Sequence, residues 1–150
     1  MKKFKFSLDK VKELRATQEK LIMKELSVAQ HKLYSAENKR DTIKDEITNQ
    51  WESRSKNKPT NSYKIMTVIS YIESLEEKLS LLDIEINQLE EKISEIRDRL
   101  LDKVKEKKTL EKLKELKKLE FNKLMKKKEQ EIMDEISIQS FGKRARESNE

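Results

Sequence analysis

Few side chains in this sequence have the type and spacing that catalysis requires. Histidine occurs once, at His31, on the solvated side of a helical pattern between Ala29 and Leu33. A lone surface imidazole with no partner nearby in sequence predicts a surface role, not general acid/base or metal chemistry. Adjacent carboxylates occur at Glu76-Glu77 and Glu90-Glu91, but they lie among lysines on helix exteriors. That spacing favours helix-stabilising pairs. One glycine cannot build a phosphate-cradling loop. The lack of cysteine removes disulfides and Cys-based zinc sites. A thin helical molecule has no enclosed pocket to exclude water. The residues therefore predict a protein that is not an enzyme and carries no metal or cofactor.

Charge and aromatic rings remain as the means of recognition. The net charge is +6, and residues 103–128 hold twelve Lys against four Glu. Such a run reads as a solvated helix face. It also suits an acidic protein surface. Nucleic acid is a weaker match, because the run contains no Arg and follows the apolar repeat instead of preceding it. A membrane surface would use the same lysines with the interleaved leucines. The eight aromatics fall in two groups: Trp51, Tyr63 and Tyr71 near a central turn, and Phe4, Phe6, Phe121 and Phe141 toward the opposite end, with Tyr34 alone. The first group either shields the turn or forms a docking patch, since Trp and Tyr dominate interface hot spots.

The elements that position these residues follow from composition and periodicity. Only 34% of the chain is apolar and 43% is charged, with one Pro and a mean hydropathy of −0.96. That profile fits long helices or disorder, and periodicity separates the two. Ile65, Val68, Ile72, Leu75, Leu79, Leu82, Ile86, Leu89, Ile93, Ile96 and Leu100 recur at steps of three and four without a break. Such a strict heptad seam demands a partner helix. Ile22, Leu26, Ala29, Leu33, Ala36, Arg40, Ile43 and Ile47 repeat the pattern, with Arg40 the polar intruder. Upstream, Leu8, Val11 and Leu14 extend the apolar stripe, and the phase is expected to skip near Gln18. After Leu100, Lys103, Lys107, Lys114 and Lys117 take seam positions. The apolar stripe shifts to Leu110, Leu113, Leu116, Phe121 and Leu124, so a change of packing is expected there.

Pro59 and Asn57 make residues 56–61 a turn, and residues 60–62 offer caps for the helix that follows. Ser7 is a candidate N-cap, with Phe6 and Val11 as a hydrophobic staple. Gly142 stands where a C-terminal stop belongs. The prediction is an all-α fold: an antiparallel two-helix coiled-coil hairpin over residues 1–150. Helix 1 runs over about 8–55, helix 2 over about 62–140, and a frayed tail covers 142–150. At about 1.5 Å per residue the helices are ~70 Å and ~115 Å long. Symmetric pairing about the turn puts residue 22 near 94 and residue 4 near 112. The last ~25 residues of helix 2 then overhang by ~40 Å. No apolar run reaches the roughly 18 residues of a membrane span. The basic start at residues 1–6 runs into Ser7, Asp9 and Lys10 instead of the apolar core of a signal peptide. The lack of Cys fits the cytoplasm.

The opening Phe4-Lys5-Phe6-Ser7-Leu8-Asp9-Lys10-Val11-Lys12-Glu13-Leu14-Arg15, followed by Glu19, resembles the start of the FliJ family of flagellar export proteins. The family's second mark is an acidic, Gln/Lys-rich segment leading to an Asp-Glu pair and an aromatic. Here it is matched by Glu129-Gln130-Glu131-Ile132-Met133-Asp134-Glu135 and then Phe141. Length and a lysine-rich second helix agree, so the resemblance spans the whole chain.

The resemblance implies a component of the flagellar type III export apparatus that is cytoplasmic and peripheral, through its partners, at the inner membrane of the flagellar base. Family members resemble the central stalk of rotary ATP synthases. Their ends enter the hexameric ring of the export ATPase, and another surface meets the cytoplasmic domain of the export gate protein. Export chaperones are further partners. Carried onto this chain, ring contact falls on Phe4, Phe6, Leu8, Arg15, Glu19, Gln130, Asp134, Glu135 and Phe141. Gate contact falls on Ile47, Trp51, Tyr71 and Leu75, with Arg40 and Lys78 bringing charge to the edges of that patch. Two alternatives share the same architecture: the equivalent stalk of a virulence-type secretion system, and a generic coiled-coil tether. A lysine-driven nucleic-acid binder is a third.

Overall fold

The structure is a computed structural model that describes residues 2–56 and 61–149. Helix α1 spans Asp9–Lys56 and helix α2 spans Ser62–Glu147. The fold is an all-α antiparallel hairpin with unequal arms of 48 and 86 residues, and no strand occurs among the described residues. The expected turn at 56–61 falls on residues 57–60, including Asn57, Pro59 and the candidate cap Thr60, which lie outside the described residues. On its far side Asn61 immediately precedes α2. Its Oδ1 accepts the Tyr63 backbone N–H at 3.1 Å, satisfying a first-turn amide that would otherwise lack a partner.

Packing divides the chain into two compact units, residues 18–103 and residues 1–17 with 104–150. In the first, every heptad position from Ile65 to Leu100 and from Ile22 to Ile47 is buried or half-buried, and the intervening residues are mostly exposed. Ile22, Ala29, Ile93 and Ile96 form one cluster, flanked by Leu26, Leu33 and Leu100. Ile22 thus shares a cluster with Ile93 and Ile96, within a turn of the residue 94 that symmetric pairing predicts for it. Ala29 and Ala36 are almost fully buried, and their small side chains let the two backbones approach closely. Outside the apolar seam, Arg99 donates to Glu25 at 2.7 Å and the Tyr71 hydroxyl reaches Glu46 at 3.5 Å. Both contacts are between antiparallel neighbours.

The second unit departs from the expected stripe. Val11 is 37% and Leu14 54% exposed, so neither belongs to the seam. The half-buried positions here include Leu8, Asp9, Lys12, Arg15 and Ala16, and Gln18 and Glu19 at the start of the other unit are half-buried as well; of these, Leu8, Lys12, Arg15 and Glu19 share one spacing. With Ile22 they continue the alternation of four and three, so there is no skip near Gln18. The phase is kept while the residue type changes. On α2 the outcome is mixed: Lys107, Leu110, Lys114 and Phe121, with Lys103 at the edge of the other unit, are half-buried in phase with Leu100, but the in-phase Lys117 is exposed, while of the expected shifted stripe Leu113 is half-buried and Leu116 and Leu124 are exposed. Long cationic side chains can occupy such positions because their methylene stems pack while the charged ends reach a carboxylate or water. Here Arg15 Nη1 lies 2.9 Å from Glu106 Oε2, and Lys114 Nζ lies 3.1 Å from Asp9 Oδ1.

Three local expectations at the chain's ends are corrected. Leu8, not Ser7, caps α1: its carbonyl accepts the Lys12 N–H at 2.9 Å, and a turn closed by Asp9 N–H to the Phe6 carbonyl precedes it. Phe4 meets Phe121, not residue 112, with ring centroids 5.6 Å apart at 52°. Residues 2–6 are not helical. Extended chain advances about 3.3 Å per residue against 1.5 Å for a helix, so a few such residues run past several more of α2. Finally, α2 does not stop at Gly142. It continues to Glu147, and Gly142 has no positive φ, the backbone state a glycine stop would use. Arg144 and Arg146 in the last turn favour the negative end of the helix dipole.

Candidate partner-docking surfaces

The ring-contact residues expected from sequence all lie in the unit of residues 1–17 and 104–150, except Glu19, and they fall into two physical classes. Phe4, Phe6, Leu8 and Arg15 are engaged within the protein. Phe6 is buried, Phe4 lies on Phe121, Leu8 is half-buried and Arg15 is ion-paired. Glu19, in the other unit, is half-buried on the seam. By contrast, every residue from 126 to 149 is exposed. Gln130 Nε2 donates to Asp134 Oδ1 at 2.8 Å one turn along, Glu135 is exposed, and Phe141 is 76% exposed. Phe4 and Phe141 are therefore not brought together: about 30 Å of helix separates Phe121 from Phe141.

Sequence reading of this stretch missed the apolar side chains between its acidic residues. Ile132, Met133, Ile136 and Ile138 are each more than half exposed. Met125, Ile132 and Ile136 continue the face that carries Phe121, and spacings of seven and four are the signal that would have found them. In a monomer such a face has nothing to bury against.

The gate-contact residues lie in the unit of residues 18–103 and divide similarly. Trp51 and Tyr71 are nearly half exposed and Ile47 is half-buried, but Leu75 is buried in the seam. The Arg54 guanidinium sits 5.2 Å above the Trp51 ring, a cation–π contact one helical turn away. Tyr63, grouped with these rings by sequence, is 75% exposed. A second feature of this unit carried no expectation. An open groove of about 690 Å³ is lined by His31, Tyr34, Asn38, Ile43, Lys78 and Leu82 among others.

No group of His, Cys, Asp or Glu suited to holding a metal ion occurs among the described residues. Their helices are also too polar to cross a membrane. Together the fold and these surfaces define an all-α helical protein whose exposed aromatic and apolar side chains lie along helix exteriors.

A protein-family model described as "Flagellar FliJ protein" matches residues 4–146 of the 150-residue chain. The chain belongs to the FliJ family, a family of flagellar export components and not of enzymes. No curated protein and no solved structure gave a significant match.

Proposed function

We propose that this flagellar export component acts without catalysis of its own, as a stalk-like ligand of the hexameric export ATPase. It binds the assembled ring and links it to the cytoplasmic domain of the export gate and to export chaperones at the cytoplasmic face of the inner membrane. The observation that carries the reading is the bare run of residues 126–149, which presents Ile132, Met133, Ile136 and Phe141 to solvent beside Gln130, Asp134 and Glu135. A helix with an apolar face and no partner in its own chain suits the bore of a ring. Ligand that binds only the assembled hexamer stabilises it by mass action, by about 2.7 kcal/mol at a hundredfold excess over Kd.

The two classes of end residue then have different tasks. Phe141 and its acidic neighbours touch the ring. Phe4, Phe6, Leu8 and Arg15 fasten the N-terminal segment to α2 and so set what the ring meets at its mouth. Gate contact uses Trp51, Tyr71 and the exposed edge of Ile47, with Leu75 acting only by holding α2 beneath them.

The test pairs two variants. Phe4→Ala with Phe6→Ala is expected to weaken stimulation of the export ATPase several-fold while circular dichroism still reports a helical protein. Trp51→Ala with Tyr71→Ala is expected to spare stimulation and reduce binding of the gate domain. Unchanged stimulation in the first variant contradicts insertion of this end. Equal loss of both activities in the second contradicts separate surfaces.

A further inference from the structure

The solvent-facing residues of α2 carry an order that neither the seam nor the proposed docking surfaces uses. In the unit of residues 18–103, the seven-residue row farthest from the seam is Glu77, Ile84, Glu91 and Asp98. In the unit containing residues 104–150 the row is Lys105, Lys112, Leu119 and Lys126. All eight are exposed. Over these eight positions the first row contains no cation and the second no carboxylate; beyond them the second row continues through Met133 and Ser140 to Glu147. Read in opposite directions they complement each other at every step: Asp98 against Lys105, Glu91 against Lys112, Ile84 against Leu119, Glu77 against Lys126. Glu95 and Lys108, each one turn to the side and also exposed, fall into the same register.

None of these side chains makes an ion pair within the protein among the described residues. The pairs that form use other groups, such as Arg15 with Glu106 and Glu25 with Arg99. Each row instead places like charges three and four residues apart, at Glu91, Glu95 and Asp98 and at Lys105, Lys108 and Lys112, an arrangement that destabilises an isolated helix. Each charged row also carries one large exposed apolar residue at the matching step.

We propose that the lysine row is a docking surface for the carboxylate row of a second copy of this chain, the two helices lying antiparallel and side by side. Opposite charges at matched spacing fix direction and register, as they do at the flanking positions of coiled coils. Ile84 and Leu119 meet across the contact and give it a desolvated point. An anionic lipid surface or an unrelated acidic protein also attracts the lysines, but gives no role to the matched spacing or to the carboxylate row.

The experiment is sedimentation equilibrium of the full chain with two charge-reversed variants, K105E/K112E/K126E and E77K/E91K/D98K. All six positions are exposed, and circular dichroism confirms that each variant stays helical. The wild-type chain is expected to self-associate at about 0.05 M salt and to lose roughly tenfold or more of its association constant near 1 M, where the screening length falls to about 3 Å. Each variant alone is expected to be monomeric, and an equimolar mixture of the two to associate again. A wild-type chain that stays monomeric at low salt overturns the proposal, as does association that the reversals leave unchanged or a mixture that fails to pair. A monomer that binds anionic vesicles through Lys105, Lys112 and Lys126 overturns it in favour of a membrane-facing surface.

Discussion

Arg40 occupies a seam position between Ala36 and Ile43, where a two-helix interface has little room for charge. Its side chain is 29% exposed, and its Nε is buried without a hydrogen bond, only approaching Asp41 Oδ1 at 3.5 Å. A single contact of that length offsets little of the desolvation. Arg40→Leu is therefore expected to stabilise the hairpin by about 1 kcal/mol, raising the thermal midpoint, because it completes the aliphatic seam. An unchanged or lowered midpoint would mean that Arg40 is better satisfied than its geometry implies. Gly142 gives an opposite lesson. A glycine there predicts a stop, but the helix runs through it and an added Cβ would meet nothing within 4 Å. Gly142→Ala should stabilise the end of α2 by about 0.5–1 kcal/mol, seen as slower amide exchange over residues 139–147. Faster exchange would show that the glycine ends the helix in solution.

At the level of the elements, the seam of the unit spanning residues 18–103 was legible because aliphatic residues mark their own phase. Every heptad position from Ile65 to Leu100 is at least half-buried. Beyond the seam's aliphatic part, apolarity misled. Val11 and Leu14 looked like a continuation, yet the true positions are Lys12 and Arg15, which keep the spacing and change the chemistry. A reading that follows hydrophobic residues cannot see a seam made of methylene stems and ion pairs. The two chemistries predict different energetics. Ile96, 1% exposed, should cost about 2–4 kcal/mol when replaced by Ala, little affected by salt. Arg15→Ala removes a pair whose side chains are 33% and 43% exposed and should cost less than about 1 kcal/mol, shrinking further as salt rises. Chemical denaturation with urea at low and high salt separates them. Equal costs would contradict this division of the seam. The candidate docking residues were legible by type but not by exposure: Trp51 and Phe141 are available to a partner, while Phe6 and Leu75 are spent inside the fold.

For the whole molecule, the unequal arms matter more than any single contact. An 86-residue helix paired with a 48-residue one must leave part of its length without an intramolecular partner, and the run 126–149 is that part. The sequence pointed to an overhang through arithmetic on helix lengths, which needs no knowledge of side-chain contacts. It did not disclose which residues the overhang exposes, because Ile132, Met133 and Ile136 lie among charges that hide their spacing. The central claim is that this exposed run engages the export ATPase. It is tested most directly by measuring ATP hydrolysis by the export ATPase with no addition, with the full chain, and with a D134A/E135A/F141A variant that remains helical. Stimulation by the full chain and a several-fold smaller effect from the variant are expected. Equal stimulation by both, or none by the full chain, would contradict the claim.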